Sequence, residues 1–447
     1  MEKFKILIPL RDYKYYQDIS PALSYLDKEK YEIIFLSYEK LNNVENLFIV
    51  EKYFKNIEKA ERYLLDSSIS PEMYRCDPRY FFEIKSENEL IIEQANIERY
   101  YNNFILNENI DIVFSGAASY GIWTIPHEIS KSKKINSYRM YDFSHLNIDI
   151  SEPRTWFTQD IYMESWEIEN YKFSWNDVEV ESFINDYFNG IKENSIVLSK
   201  TAIPHRNLFY ADSFFLILKN IVRLFVRNDN KSKHRLKAIY NLYKTRKKQT
   251  SIKNLNFKFL IYPLNAAYDE QLLLRGTYIK DIYSSIQILC NSLPLGVKLV
   301  IRQHPVDPGG LSYKKIKNLL YSNNNLHIVD HNIPLDQLIA RSCGMITVNS
   351  TSAFDSLVNK KPVFVLGRTF YSNSKAVTTL KDIKRLTQEI DSFIKQGFKK
   401  EQLEAFKDIL KNIIYESYPE PNNRENNDYH KHLGLAINSK CEKVISG

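Results

Sequence analysis

Three stretches in the second half of the chain gather residue types able to hold a charged ligand. Thr347 to Tyr371 reads TVNSTSAFDSLVNKKPVFVLGRTFY. An apolar run delivers Asn349, Ser350, Thr351 and Ser352 to the start of a helical segment, and a second apolar run ends at Gly367. Ser and Asn are favoured helix N-caps, and the free N–H groups and dipole of a helix start attract anions. Capping needs one such residue, so four in succession point to an anion held there. The second stretch is IRQHP, Ile301 to Pro305. A residue before proline is pushed out of helical geometry, which predicts His304 on a strand-to-loop turn. There its ring can donate to a phosphate, with Arg302 as a fixed cation nearby. The third, YPLNAAYDEQLLLRG, sets Asp269 and Gln271 after a proline-containing loop. Read alone, Asp269 serves equally well as a helix cap.

The elements that must position these residues alternate. FKILIPL, YEIIFLS and DIVFSG read as strands in the first part, with ENELIIEQANIERYYNNFILNEN as a long helix between them. FKFLIYPL, VKLVIRQH, LHIVD, GMITVNS and PVFVLG are five further strands, separated by helical or turn segments. Alternation of this kind implies α/β blocks with parallel sheets, whose ligands bind at the C-terminal ends of the strands. Ser151 to Gly190, with Trp156, Trp166 and Trp175 among many acids, reads as an irregular connection and a rim for an acceptor. Asp382 to Ser417 is helical again, and the Pro/Asn-rich tail from Tyr418 to Asp428 loops back. The expected division is 1–190, 191–253, 254–395 and 396–447.

The chain has 447 residues, 44% hydrophobic and 26% charged, which is ordinary for a soluble globular protein. No secretory signal is visible, and FFLILKNIVRLFV is interrupted by Lys219 and Arg223 too early to span a membrane. Cys76, Cys290, Cys343 and Cys441 are far apart and form no C-x-x-C pair, which suits a reducing cytoplasm. The net charge of +7 is concentrated: Lys219 to Lys253 holds 12 Lys/Arg and one acid, Asp229. Interleaved apolar residues make this one or two basic amphipathic helices, either a solvated face or a surface for anionic lipid. No nucleic-acid-binding signature accompanies the charge, so no nucleic-acid partner is expected.

The order P-L-(polar)…D-x-Q, a basic residue before x-H-P, then V-N-S-T-S-A-F-D-S-L-V-N-K-K-P-V-F-V-L-G-R-x-F-Y resembles the bacterial capsule polysaccharide synthesis family. That family includes the Kdo transferases that build the linker of lipid-anchored capsules. The resemblance runs from Phe257 to Tyr371, although H-P and S-S signatures also occur in polysialyltransferases and teichoic-acid polymerases. It implies the GT-B arrangement: two Rossmann-like domains facing a cleft, with a C-terminal helix crossing back. It also implies a CMP-activated ulosonic acid as donor. His304, Ser350, Thr351 and Ser352 would contact the phosphate beside Arg302 and Asn349, and Asp269, Gln271 and Tyr371 would shape the donor pocket. Two departures are Asn265, where the family usually has Gln, and Arg302, where it often has Lys.

The first half matches poorly. The nearest equivalent of the family's acidic E-D-G-F-type motif is MYDFSH, which makes Asp142 the candidate catalytic carboxylate; a turn Asp after a strand is the plain alternative. Ser115 and Gly116 end another strand and would face the same cleft, the glycine letting a ligand approach the backbone. The implied activity is metal-independent, retaining transfer of a Kdo- or sialic-acid-like sugar to a capsule or other surface glycan or glycolipid. A CMP-sugar is the co-substrate and no further cofactor is expected. The implied location is cytoplasmic, peripheral on the inner face of the membrane. Two other readings stay open: a CDP-donor polyol-phosphate polymerase, and a non-catalytic scaffold of capsule assembly.

Overall fold

The structure, a computed structural model, describes the chain except residues 1–2, 68, 70–76, 78, 80–84, 117–119, 143–153, 159–220, 223–229, 267–271, 273–274, 277–280, 306, 417, 420–426 and 447. The strands are β1 (Phe4–Leu10), β2 (Tyr31–Ser37), β3 (Leu47–Ile49), β4 (Ile112–Ser115), β5 (Asn136–Asp142) and β6 (Arg154–Thr158). They continue with β7 (Phe259–Pro263), β8 (Lys298–Arg302), β9 (Leu326–Val329), β10 (Met345–Thr347), β11 (Val363–Val365), β12 (Thr378–Thr379) and β13 (Tyr418–Pro419). The helices are α1 (Tyr13–Leu23), α2 (Ile57–Leu64), α3 (Glu87–Asn107), α4 (Gly121–Ser132), α5 (Asn230–Arg246) and α6 (Ile282–Ser292). After them come α7 (Tyr313–Ser322), α8 (Leu335–Arg341), α9 (Ser352–Val358), α10 (Leu386–Gln396), α11 (Lys400–Glu416) and α12 (Asn427–Ser446).

The chain forms two compact units. One comprises Met1–Phe81, Lys85–Val180 and Asn412–Gly447; the other comprises Phe82–Ile84 and Glu181–Lys411. The first holds a seven-stranded sheet in the order β13-β6-β5-β4-β1-β2-β3. Its five strands from β3 to β5 are parallel, and β6 and β13 add antiparallel strands at one edge. Successive side chains of β1 serve opposite faces, as strand geometry requires. Ile6 and Ile8 pack with α1 and with Leu433, Ala436, Ile437 and Cys441 of α12. Leu7 packs on the other face with Ile97, Tyr101, Ile125 and Ile129 of α3 and α4. The C-terminal helix thus returns to complete the first sheet's core. At the start of α3, Ser86 and Glu89 form a reciprocal capping box.

The second unit holds a six-stranded, all-parallel sheet in the order β12-β11-β10-β7-β8-β9. Numbered within the unit this is 6-5-4-1-2-3, and β3-β2-β1-β4-β5 of the first sheet follows the same winding. Both are doubly wound Rossmann-type sheets, whose ligand crevice opens where the winding reverses. In the second unit that point lies between β7 and β10, and in the first between β1 and β4. Central strands such as VFV and MIT carry no exposed residue, the expected pattern for a parallel sheet covered on both faces.

The apolar runs read as strands all form strands, and the long helix forms over Glu87–Asn107. The short strands β3 and β12 and the polar strand β5 go beyond that reading. Trp156 lies on β6, so Arg154–Thr158 is paired strand and not the irregular connection expected there. Trp166 and Trp175 lie outside the described residues.

Candidate functional site

In the second unit the ends of β8 and β10 flank the end of β7, at the reversal point of the sheet. Past β10 the chain turns through Val348, Asn349 and Ser350 into α9. Ser350 is the knot of this turn. Its N–H donates to Thr347 Oγ1 at 3.0 Å, its Oγ accepts from the Ser352 N–H at 3.2 Å, and its carbonyl accepts from the Tyr371 hydroxyl at 2.7 Å. Tyr371 is fully buried and burial pushes its phenol well up, so it stays a proton donor. What the structure shows of Tyr371 is this hold on Ser350.

The four polar residues of the turn do not act alike. Ser350 and Thr351 are half-buried, whereas Asn349 and Ser352 are buried. The Ser352 hydroxyl lies 2.9 Å from Ser350 Oγ and 3.7 Å from Met345 Sδ. It is turned into the fold, which corrects the expectation that Ser352 contacts the phosphate together with Ser350 and Thr351. Thr351 occupies the cap position without a side-chain cap bond, and α9 is only seven residues long. A helix of two turns aligns few peptide dipoles, so its end contributes less than the sequence suggested.

The β8 end brings the second group. The chain leaves the strand at Arg302, and the Asp307 N–H bonds the His304 carbonyl at 3.0 Å, closing the turn predicted after the strand. His304 is half-buried. Gln303 is buried and its Oε1 accepts from the Gly309 N–H at 3.1 Å, tying the loop to itself. Arg302 differs from expectation. It is buried, its Nε donates to the Ile333 carbonyl at 2.9 Å, and its charge acts on Asp355. It organises the site's interior and is not an open cation.

Asp355, on α9, is a buried acid next to this turn that the sequence reading passed over. Burial, helped by the Asp336 carboxylate, pushes its carboxyl up to about 7 against the pull of Arg302. It lies three residues after Ser352 and so shares a helix face with it. An acid inside SAFDSLV, between two buried strands, was the available signal. Arg275, in the stretch that holds Asp269, is also buried, and its carbonyl accepts from the Arg368 N–H at 2.9 Å just past Gly367. That joins the β7 and β11 loops. Asn265 follows β7 and is buried; Asp269 and Gln271 lie outside the described residues.

In the first unit, Asp142 is the last residue of β5, paired in register with Thr155 of β6. It stands at the C-terminal edge of that sheet, one strand from the reversal point. Ser115 is fully buried. A Cβ on Gly116 would sit 2.8 Å from the Trp123 ring, so the missing side chain makes room for that indole and not for a ligand. Both correct the expectation of an open strand end. Trp123 is held by its Nε1–H on the Pro9 carbonyl at 2.9 Å, and the Arg11 guanidinium stacks 5.2 Å from its ring. Nearby, Arg79 pairs with the buried carboxylates Asp77 and Glu93 at 2.6 and 2.7 Å. Among the described residues no cluster of His, Cys, Asp and Glu is placed to hold a metal ion, and no helix is long and apolar enough to cross a membrane.

Two doubly wound α/β units, one with hydroxyl and imidazole groups at its reversal point, define a two-unit α/β protein of Rossmann-type winding. Residues 226–404 match the family described as "Capsule polysaccharide biosynthesis protein", which bears out the resemblance to the capsule polysaccharide synthesis family. The capsule polysaccharide modification protein LipB of Neisseria meningitidis is 31% identical over 124 residues, 26% of this chain and 29% of that protein. The capsule polysaccharide export protein KpsS of Escherichia coli is 24% identical over 159 residues, 34% of this chain and 38% of that one. The matches thus span less than half of either relative. Among solved structures, the β-Kdo 2,7 transferase KpsC of Thermosulfurimonas dismutans aligns over 66% of this chain and 80% of its own, with 13% identity and a TM-score of 0.32. Likeness at that level says nothing about residues or chemistry.

Proposed function

We propose that the protein is a glycosyltransferase that moves a Kdo- or sialic-acid-like ulosonic acid from a CMP donor to a capsule or other surface glycan. The observation that carries this reading is the placement of the Ser350 turn and the His304 loop on either side of the β7 end, at the reversal point of a sheet inside the family-matched segment. Transfer breaks the bond between the anomeric carbon and the CMP phosphate oxygen and forms one to an acceptor hydroxyl oxygen. Negative charge grows on the departing phosphate, and preorganised donors at that spot lower the barrier. His304 and the hydroxyls of Ser350 and Thr351 are the donors proposed for it, without a metal. Asp355 is buried behind this turn and, with Arg302, is proposed to support it from within and not to touch the donor.

Retention of configuration needs a carboxylate on the far side of the sugar, as nucleophile or as partner of an oxocarbenium-like centre. Asp142 is proposed for that role. As the new bond forms, the acceptor hydroxyl's proton passes to the departing CMP phosphate or to solvent water. Calorimetry with CMP, CDP, UDP and GDP tests the donor, followed by CMP release from CMP-Kdo and CMP-nonulosonates with and without a capsule-linker acceptor and with EDTA. Cytidine-selective binding and acceptor-dependent release in EDTA are expected. Selective turnover of a CDP-polyol would replace this reading with the polymerase, and silence toward every cytidine nucleotide would leave only the scaffold.

A further inference from the structure

Helix α5 carries no acid: its sequence is NKSKHRLKAIYNLYKTR. Lys237, Tyr240, Lys244 and Lys247 recur at steps of three, four and three, the spacing of one helix face that runs on past the helix end. Lys237 and Lys247 are exposed, as are Tyr240 and Tyr243, at 55% and 57%. Lys244 Nζ lies 5.7 Å from the Tyr240 ring centre and Lys247 Nζ 4.6 Å from that of Tyr243. Each of these two exposed rings is joined to a lysine.

The other side of α5 is fixed to the domain. Asn241 and Thr245 are buried, and Asn241 bridges the Gly309 carbonyl and the Tyr313 N–H, each at 3.1 Å. Gly309 has φ +86°, and a Cβ there would sit 2.1 Å from the Ala238 carbonyl. The lysine–tyrosine face is therefore presented by a rigidly seated helix. The adjoining α7, YKKIKNLLYS, is also free of acids and repeats the pattern, with exposed Lys314, Lys317 and Tyr321 at helical spacing.

We infer that this face of α5 docks the protein on anionic lipid headgroups. Lysines near a negatively charged bilayer each contribute to attraction, and tyrosine suits the boundary, with an apolar ring and a polar tip. The face uses lysine, a point charge, and not the planar arginine fork that favours specific phosphate and base recognition. This selects lipid over nucleic acid as the occupant. The inference does not depend on the donor reading, because docking requires no nucleotide.

Co-sedimentation with vesicles of phosphatidylcholine containing 30 mol% phosphatidylglycerol, as against pure phosphatidylcholine, tests it; that composition sets about a third of the surface lipids anionic. The wild-type chain binds the anionic vesicles and not the neutral ones. Lys237→Glu/Lys244→Glu/Lys247→Glu weakens binding at least about 100-fold, since each lysine removed accounts for about fivefold. The corresponding triple Lys→Arg variant keeps it, and Tyr240→Ser/Tyr243→Ser weakens it at unchanged charge. Of the five positions, Lys237, Tyr240, Tyr243 and Lys247 are exposed and Lys244 is half-buried, so unaltered thermal unfolding certifies the fold. Equal sedimentation of the charge-reversed protein, no sedimentation of the wild type, or binding of a single-stranded RNA 20-mer of about 20 charges in preference to the vesicles overturns the inference.

Discussion

The Tyr371 hydroxyl donates to the Ser350 carbonyl at 2.7 Å from a wholly buried position. This bond joins the loop after β11 to the turn after β10. Tyr371→Phe removes one buried hydrogen bond and keeps the ring packed against Phe354 and Phe370. The Ser350 carbonyl retains the Ala353 N–H, so it is not left without a donor. The expected loss in urea unfolding is about 1 kcal/mol. Calorimetry should then show CMP affinity falling severalfold, because the turn that carries Ser350 is held by one bond fewer. An unchanged affinity at reduced stability would confine Tyr371 to the core.

Asp355 makes stability depend on pH with a definite sign. Its folded pKa, about 7, lies above the ordinary carboxylate value of 3.8. Between those values the folded state keeps a proton that the unfolded state gives up. Its contribution therefore falls as pH rises from about 4 to about 7, by up to about 1.4 kcal/mol per pH unit, and is level above that. Asp355→Asn should flatten the fall of Tm across that window. Arg302→Met should extend it upward by removing the cation that favours the charged form. A wild-type profile that rises monotonically from pH 4 to 7, with Asp355→Asn superimposable on it, would contradict the buried, proton-holding state.

What the sequence made legible follows from which physical pattern each residue obeys. The central strands announce themselves as apolar runs because both faces of a parallel sheet are covered. β5, NSYRMYD, hides because it buries Ser137 and Arg139, polar residues whose side-chain partners, His127, Thr124 and Glu128, come from α4. The His304 turn was legible because proline constrains the residue before it. Gly116 was misread because a glycine at a strand end looks the same whether a ligand or an indole fills the space, and only the packing of Trp123 decides. Asp355 and Arg302 were misjudged for one reason. Charge in a sequence carries no sign of burial, and it is burial that turns this pair inward.

Gly309 and Gly296 offer a matched comparison. Both have positive φ, +86° and +83°, but a Cβ on Gly296 meets nothing within 4 Å, while one on Gly309 meets the Ala238 carbonyl. Gly296→Ala should cost only the left-handed backbone strain, about 1–2 kcal/mol. Gly309→Ala should cost clearly more, at least about 3 kcal/mol, because α5 must also move off the His304 loop. Urea midpoints report both, and hydrogen exchange at Gly310 and Tyr313 should speed only in the second. Equal costs would mean that α5 does not seat against this loop.

His304 and Asp142 belong to different units, and the proposed reaction assigns them separable tasks. If His304 donates to the phosphate, His304→Ala removes a hydrogen bond to a charged group, worth about 1.5–3 kcal/mol, and weakens CMP binding by about 10- to 150-fold. Asp142→Asn removes the negative charge while keeping the shape of the side chain. A nucleophile or charge stabiliser acts on the transition state and not on bound CMP. That variant should therefore bind CMP as the wild type does and lose at least about 100-fold in turnover. Inverted results, with His304→Ala losing only turnover and Asp142→Asn losing CMP affinity, would exchange the two roles. Full turnover by Asp142→Asn would remove Asp142 from the chemistry and leave it as the last residue of a strand.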